Sequence, residues 1–202
     1  MGDAAKALDA FQEAVKLRDD SGPAHRGLGN ALVASKRNQD AFAEFQKAIT
    51  LDPKDADSLT AMGSLLAGAN QMDGAEKALR GAMAIRQDPQ TVTALANVLT
   101  RNAKPQEALQ LLEPLFRQGT PPVQVVIAAA RAADMAGSST QATALYGNVQ
   151  RIIQDPQARL DPEMVRQLQA EAQAAIERLS RGPGTLGGAT PATGPSAGPG
   201  TR

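Results

Sequence analysis

Small-residue pairs recur along this chain at an almost fixed interval. Leu28-Gly29 is followed 34 residues later by Met62-Gly63, then after 33 by Leu95-Ala96 and after 34 more by Ala129-Ala130. Each pair is trailed by a matching apolar set: Ala41, Phe45, Ala48 and Pro53; Ala75, Leu79 and Ala82; Ala108 and Leu112; Ala142, Tyr146 and Val149. Ala7, Phe11, Ala14 and Asp19 fit the second half of one more unit. A period of this length is one supersecondary unit with an apolar face that it cannot bury alone. Successive units must therefore stack on one another. The chain is built as a row rather than around one central core.

Within each unit the pattern is helical. Leu8, Phe11 and Val15, then Phe42, Phe45 and Ile49, then Leu109, Leu112 and Phe116 recur at spacings of three and four. Sustained period-two alternation is absent, so strands are not expected. Short polar or Pro/Gly breaks, such as Lys36–Asp40, Asn70–Gly74 and Asn102–Pro105, make consecutive helices antiparallel neighbours. Gly29, Gly63, Ala96 and Ala130 let two such helices approach closely. Asp52, Asp55, Asp88 and Asp155 read as turn formers and helix caps, since no acid alternation around a central Gly makes a calcium loop. Pro114 falls inside an expected helix and should kink it. Asp161-Pro162-Glu163 is a strong helix start. The stripe Met164, Leu168, Ala172, Ala175, Ile176 and Leu179 then gives one narrow apolar face, which suits the terminal cap of a row.

The segment from His25 to Pro53 resembles the tetratricopeptide repeat (TPR) motif, and the resemblance extends over about residues 2–156. It implies an all-α fold: a right-handed superhelical array of antiparallel helix pairs, closed by a C-terminal capping helix. The units expected are the second half of a truncated repeat at 1–21, repeats at 22–55 and 56–88, degenerate repeats at 89–122 and 123–156, a capping helix at 161–180, and a disordered Gly/Pro/Thr/Ala tail at 181–202. Leu115, where a small residue is expected, and the Ala129-Ala130 pair mark the degenerate units. Gly2-Asp3 matches the turn inside a repeat, so the first repeat lacks its first helix. This suggests a piece of a longer protein whose open half-repeat allows self-association.

Composition removes most chemistry. With no Cys and only His25, thiol nucleophiles, cysteine metal sites, His-based zinc sites and His-dependent triads lack their residues. Twenty-one basic against 21 acidic residues leave no cationic surface for nucleic acid. No apolar run is long enough to span a bilayer, and no secretory signal is visible. The glutamates are spread over helix-compatible polar positions rather than converging, and Gly27-Leu28-Gly29 lies mid-helix with no strand before it. His25 reads as a half-buried packing group. We therefore expect no enzyme, no catalytic or metal-binding residue and no cofactor.

What remains is binding. The resemblance implies a concave groove lined by Arg26, Asn30 and Val33; Thr60, Ser64 and Ala67; Gln90, Thr93, Asn97 and Arg101; and Gln124, Ile127, Arg131 and Asp134. Such a lining suits an extended peptide or partner protein held by hydrogen bonds, with the arginines favouring carboxylates. The clamp by which TPR co-chaperones hold an acidic C-terminus is met at Arg26 and Asn30 but not at Ala61, Gln90 and Ala94. The expected function is a protein-binding scaffold. Fourteen Arg against seven Lys, the heavy Ala content and the Pro/Thr/Ala/Gly tail suggest a GC-rich bacterial source. The layout is similar to that of exported TPR proteins that help assemble envelope machines for pili, secretion or polysaccharide export, a role that this resemblance implies. The alternative is a regulatory TPR module of a larger enzyme or signalling protein. Localisation would be cytoplasmic for a complete chain, and periplasmic or envelope-associated had a signal been removed.

Overall fold

The computed structural model describes residues 2–181. Ten α-helices follow in order: α1 (Gly2–Leu17), α2 (Gly22–Ala34), α3 (Asn38–Leu51), α4 (Ala56–Gly68), α5 (Met72–Ile85), α6 (Pro89–Arg101), α7 (Pro105–Arg117), α8 (Val123–Met135), α9 (Ser139–Gln154) and α10 (Pro162–Ser180). A single 3-10 turn, Pro156–Ala158, precedes α10, and no strand occurs among the described residues. Gly2 and Asp3, expected in a turn, are helical. The expected tail lies outside the described residues except for Arg181, which ends α10.

The helices start and stop for local reasons. Ser21, Asp55 and Asp88 cap α2, α4 and α6, each accepting from the backbone N–H three residues on. Asp161 caps α10 by accepting from Glu163 and Met164 N–H, with Pro162 at the first position. The turns after α2, α4, α6 and α8 repeat one geometry. Lys36, Asn70, Ala103 and Gly137 adopt φ of 61°, 61°, 57° and 75°. The next residue, Arg37, Gln71, Lys104 or Ser138, donates its N–H five residues back, to Leu32, Leu66, Leu99 or Ala133. This left-handed closure satisfies the terminal carbonyls and reverses the chain. Pro114 sits inside α7, which remains one helix from Pro105 to Arg117. The carbonyl it leaves unpaired belongs to exposed Gln110, where water can serve it.

Pairs α2–α3, α4–α5, α6–α7 and α8–α9 pack antiparallel, and each second helix stacks on the first helix of the next pair, giving a right-handed TPR solenoid. Phe45, Leu79, Leu95, Leu99 and Leu112 are fully enclosed, each worth about 1.5–3 kcal/mol of burial. A Cβ on Gly29 would lie 2.6 Å from the Phe45 ring, and one on Gly63 2.6 Å from Leu79, so these helix pairs close only around glycine. α1 lies on α2, with Leu8 and Val15 against the first core cluster and Phe11 over Gly27. At the other end Leu168, Ala172 and Ala175 of α10 cover Tyr146 and Val149 of α9, as a terminal cap requires.

Candidate functional site: the concave face

Curvature follows from which helices meet. α6 and α8 pack directly, and α4 approaches α2 and α6, whereas α3, α5, α7 and α9 stand further from one another. The closer set, α2, α4, α6 and α8, therefore lines the concave side. Along it the structure separates an open half from a closed half.

Over α2, α4 and α6 the face is open. A cavity of about 210 Å³ is lined by Asn30, Thr60, Ala61, Ser64, Gln90 and Thr91 together with the charged Asp57, Arg86 and Asp88. Asn30, Ser64 and Gln90 are exposed, and Asn97 is half-buried two turns above Gln90. The Ser64 hydroxyl donates to the Thr60 carbonyl and keeps its acceptor capacity. Thr60 is buried and donates to Ala56 O, with its oxygen 2.9 Å from that of Thr91. Thr60 is thus floor rather than contact.

The charged side chains of this half hold one another. Arg26 donates to Asp55 at 2.7 Å and lies 3.8 Å from Asp57, so it ties α2 to the start of α4. Arg86 pairs with Asp57 and stands 3.6 Å from Asp88. Burial works against ionisation of Asp55, yet its carboxyl is held below the usual range by the Ser58 hydroxyl and amide and by Arg26. Asp88 is likewise lowered against its burial, by the Thr91 amide and hydroxyl with Arg86 adding. Asp57, Arg86 and Asp88 were not among the groove residues expected from sequence. Arg86 and Asp88 lie between helices, outside the repeat's first-helix register, and only the packing brings them to the cavity.

Over α8 the face is closed. Two expected groove residues are buried: Ile127 at 5% exposure, in the apolar cluster that α8 forms with Leu168 and Ala172 of α10, and Thr93, whose hydroxyl donates to Pro89 O. Arg131 makes two 2.6 Å hydrogen bonds to Glu171 of α10. Asp134 pairs with Arg178, and Gln124 reaches Met164. Burial pushes the nearby Tyr146 phenol up to about 12, with Asp134 and Glu171 adding to the shift. Arg101, exposed at the end of α6, donates to Ala67 O and Asn70 at the end of α4. Of the three expected anion-binding arginines, Arg26 and Arg131 are therefore paired with acids of the chain, whereas Arg101 meets only neutral acceptors.

His25 also departs from expectation. It is 2% exposed rather than half-buried, with Nδ1 2.6 Å from Glu44 of α3 and Nε2 2.9 Å from the Asp19 carbonyl. It joins the corner after α1 to α2 and α3. Among the described residues no group of three His, Asp or Glu side chains is placed to hold a metal ion, and no helix is long and apolar enough to cross a membrane.

An array of antiparallel helix pairs with an open inner face defines a superhelical repeat protein. Residues 1–56 and 32–99 match two tetratricopeptide repeat family models, and the chain is a tetratricopeptide repeat protein. No curated protein is significantly similar in sequence. Solved structures of the same fold include YrrB, titled a TPR protein with an unusual peptide-binding site. It is 17% identical with a TM-score of 0.64, covering 88% of this chain and 95% of that one. A Pseudomonas aeruginosa pilF structure is 18% identical with a TM-score of 0.66, covering 92% and 87%. A tetratricopeptide repeat protein from Parabacteroides merdae is 14% identical with a TM-score of 0.67, covering 89% and 73%. Tetratricopeptide repeats serve generally as non-catalytic interaction modules, and the fold of this chain is that of a protein-interaction scaffold.

Proposed function

We propose that the chain binds an extended peptide, or an extended segment of a partner protein, across α2, α4 and α6, and that it carries out no chemistry. The observation that supports this reading is the open cavity bounded by Asn30, Ser64 and Gln90 on three successive inner helices. Three helices spaced about 10 Å apart offer hydrogen-bonding side chains in a row, which matches a strand-like ligand rather than a globular one. The narrower setting is assembly of a bacterial envelope machine such as a pilus, secretion or polysaccharide-export system. Membership of a larger enzyme or signalling protein is the competing setting. We also propose a contact between copies of this chain through α1, where Phe11 keeps 37% of its surface exposed. Light scattering of wild type and Phe11→Ser tests that contact.

Peptides of about a dozen residues, selected from a random library against the full chain, test the site. Ser64→Trp fills the cavity from an exposed position and should weaken the selected peptides about tenfold or more. Undiminished affinity, with helicity unchanged by circular dichroism, would place binding elsewhere, the first alternative being the apolar cleft between α7 and α9 lined by Leu109, Phe116 and Leu145.

A further inference from the structure

Nine of the ten helices are closed at their C-terminal end by a backbone N–H from the residue just beyond, as when Asp52 donates to Ala48 O, Arg86 to Ala82 O and Asn102 to Val98 O. Among the described residues α7 is the exception. The N–H groups of Gln118, Gly119 and Thr120 donate no hydrogen bond, and Pro121 and Pro122 have none to give. The last-turn carbonyls of α7 therefore stay open. Pro114 leaves one more, that of Gln110, without a helical partner. A helix carbonyl points along the axis toward the residue four further on, so the Gln110 carbonyl is directed at Pro114.

Two adjoining cavities, of about 250 and 140 Å³, lie against this end of α7. Gln110, Pro114 and Gln118, each one turn from the next, line the larger, with Met83 and Val92 opposite. Pro121 and Pro122 line the smaller, and Pro89, Leu115 and Gln118 border both. No Lys, Arg or His lines either, and Asp88 is their one ionisable side chain. The nearby cations are held elsewhere: Arg86, 3.6 Å from Asp88, pairs with Asp57, and Arg117 pairs with Glu113 at 2.6 Å. The corner thus joins the negative pole of a helix, open carbonyls and a carboxylate to apolar, proline-rich walls. It lacks a donor and a positive charge.

We infer that the corner between α6 and α7 is a second interaction site, which takes an arginine side chain of a partner protein. A guanidinium supplies five N–H donors and no acceptor, which suits a group of carbonyls with no donor of their own. It is planar and weakly hydrated, so its face can lie on Pro89, Pro114 and Leu115, whereas the compact, strongly hydrated ammonium of lysine gains less there. The site shares only Asp88 with the concave cavity, so it goes beyond groove binding and does not depend on it.

The peptides selected from the random library against the full chain test it once they are sorted by Ser64→Trp, which fills the groove and leaves this corner untouched. Those that still bind should carry arginine, and not lysine, above its share in the unselected library. Replacing that arginine by glutamine should weaken them about tenfold or more, as loss of charge-assisted hydrogen bonds implies. Pro114→Ala supplies the N–H that the Gln110 carbonyl lacks, and Gln118→Lys adds a cation at an exposed position on the rim. Each should weaken these peptides about fivefold or more, with the fold intact by circular dichroism. Sorted binders without an arginine excess, enriched instead in tryptophan or tyrosine, or indifferent to both substitutions, would overturn the inference. So would a selection in which Ser64→Trp abolishes every peptide, a result that upholds the groove alone. A mass that rises with concentration in light scattering and returns to monomer in Pro114→Ala would overturn the partner protein in favour of a second copy. Arginine peptides that respond to Pro114→Ala while none responds to Ser64→Trp would uphold this site and remove the groove.

Discussion

Gly29→Ala sets two effects of known size against each other. In a helix interior Ala is favoured over Gly by about 1 kcal/mol, because Gly loses more backbone freedom on folding. At this position the new Cβ would lie 2.6, 2.8 and 2.9 Å from three ring carbons of Phe45. Carbon atoms pack best at about 3.5–4.0 Å, so the ring would have to retreat by roughly 1 Å. Phe45 has no room to do so. It is 0% exposed and enclosed with Leu28, Leu32 and Ala41, with partly buried Met62 and Leu65 beyond. Overpacking of this kind costs about 1–3 kcal/mol, which exceeds the propensity gain, and we expect a net loss of about 1 kcal/mol. Gly147→Ala in α9 is the control: nothing lies within 4 Å of its new Cβ, so the same change there should stabilise by up to about 1 kcal/mol. Gly27→Ala is a second comparison. Its Cβ would lie 2.1 Å from Phe11, but Phe11 is 37% exposed and can swing outward, loosening α1 rather than straining the core. The assay is urea unfolding followed by circular dichroism, with the slope checked for constancy. Phe45→Leu in the Gly29→Ala background should recover stability in a double-mutant cycle. A Gly29→Ala protein as stable as wild type, or no coupling to Phe45, would refute the close-packing argument.

Three further expectations follow from named contacts. Glu76 is buried, which opposes its ionisation, but hydrogen bonds from Lys104, Asn102 and Arg80 hold its carboxyl at about 2. Its contribution, of order 2–3 kcal/mol, is complete above the ordinary carboxylate value of about 4.5 and is lost as pH falls from there toward 2. The stability difference between wild type and Glu76→Gln should therefore shrink across that window, and a pH-independent difference would contradict the assignment. Arg131→Glu should loosen α10 by about 1–2 kcal/mol through repulsion with Glu171, and the reversed pair with Glu171→Arg should restore the melting temperature. Failure of the reversed pair would mean that apolar packing alone seats α10. Ala103→Gly should stabilise and Gly137→Ala destabilise, each by up to about 1 kcal/mol, because both positions are left-handed and only glycine adopts that geometry freely. Opposite signs in thermal melts would contradict the turn assignment.

The sequence by itself determined whatever depends on neighbours within a turn or two of helix. The 34-residue recurrence, the helix-period apolar faces and the small pair at Gly29, Gly63, Ala96 and Ala130 dictate stacked antiparallel helices, because each such face must be covered by the next unit. Asp55, Asp88 and Asp161 could be read as caps, since an N-cap acts on an amide only two or three residues away. The stripe on α10 announced its own role in the same way. The groove was legible only as positions, not as available groups. Arg26 finds Asp55 29 residues on, Arg101 finds Ala67 34 residues back, and Arg131 finds Glu171 40 residues on. His25 finds Glu44 19 residues on. No local pattern encodes these pairings, because they depend on how closely one helix pair settles on the next. The same applies to Ile127: its position faces inward by register, but the packing of α10 encloses it with Leu168 and Ala172. Periodicity determines which way a side chain points. Only the packed solenoid decides whether a partner is already there to meet it.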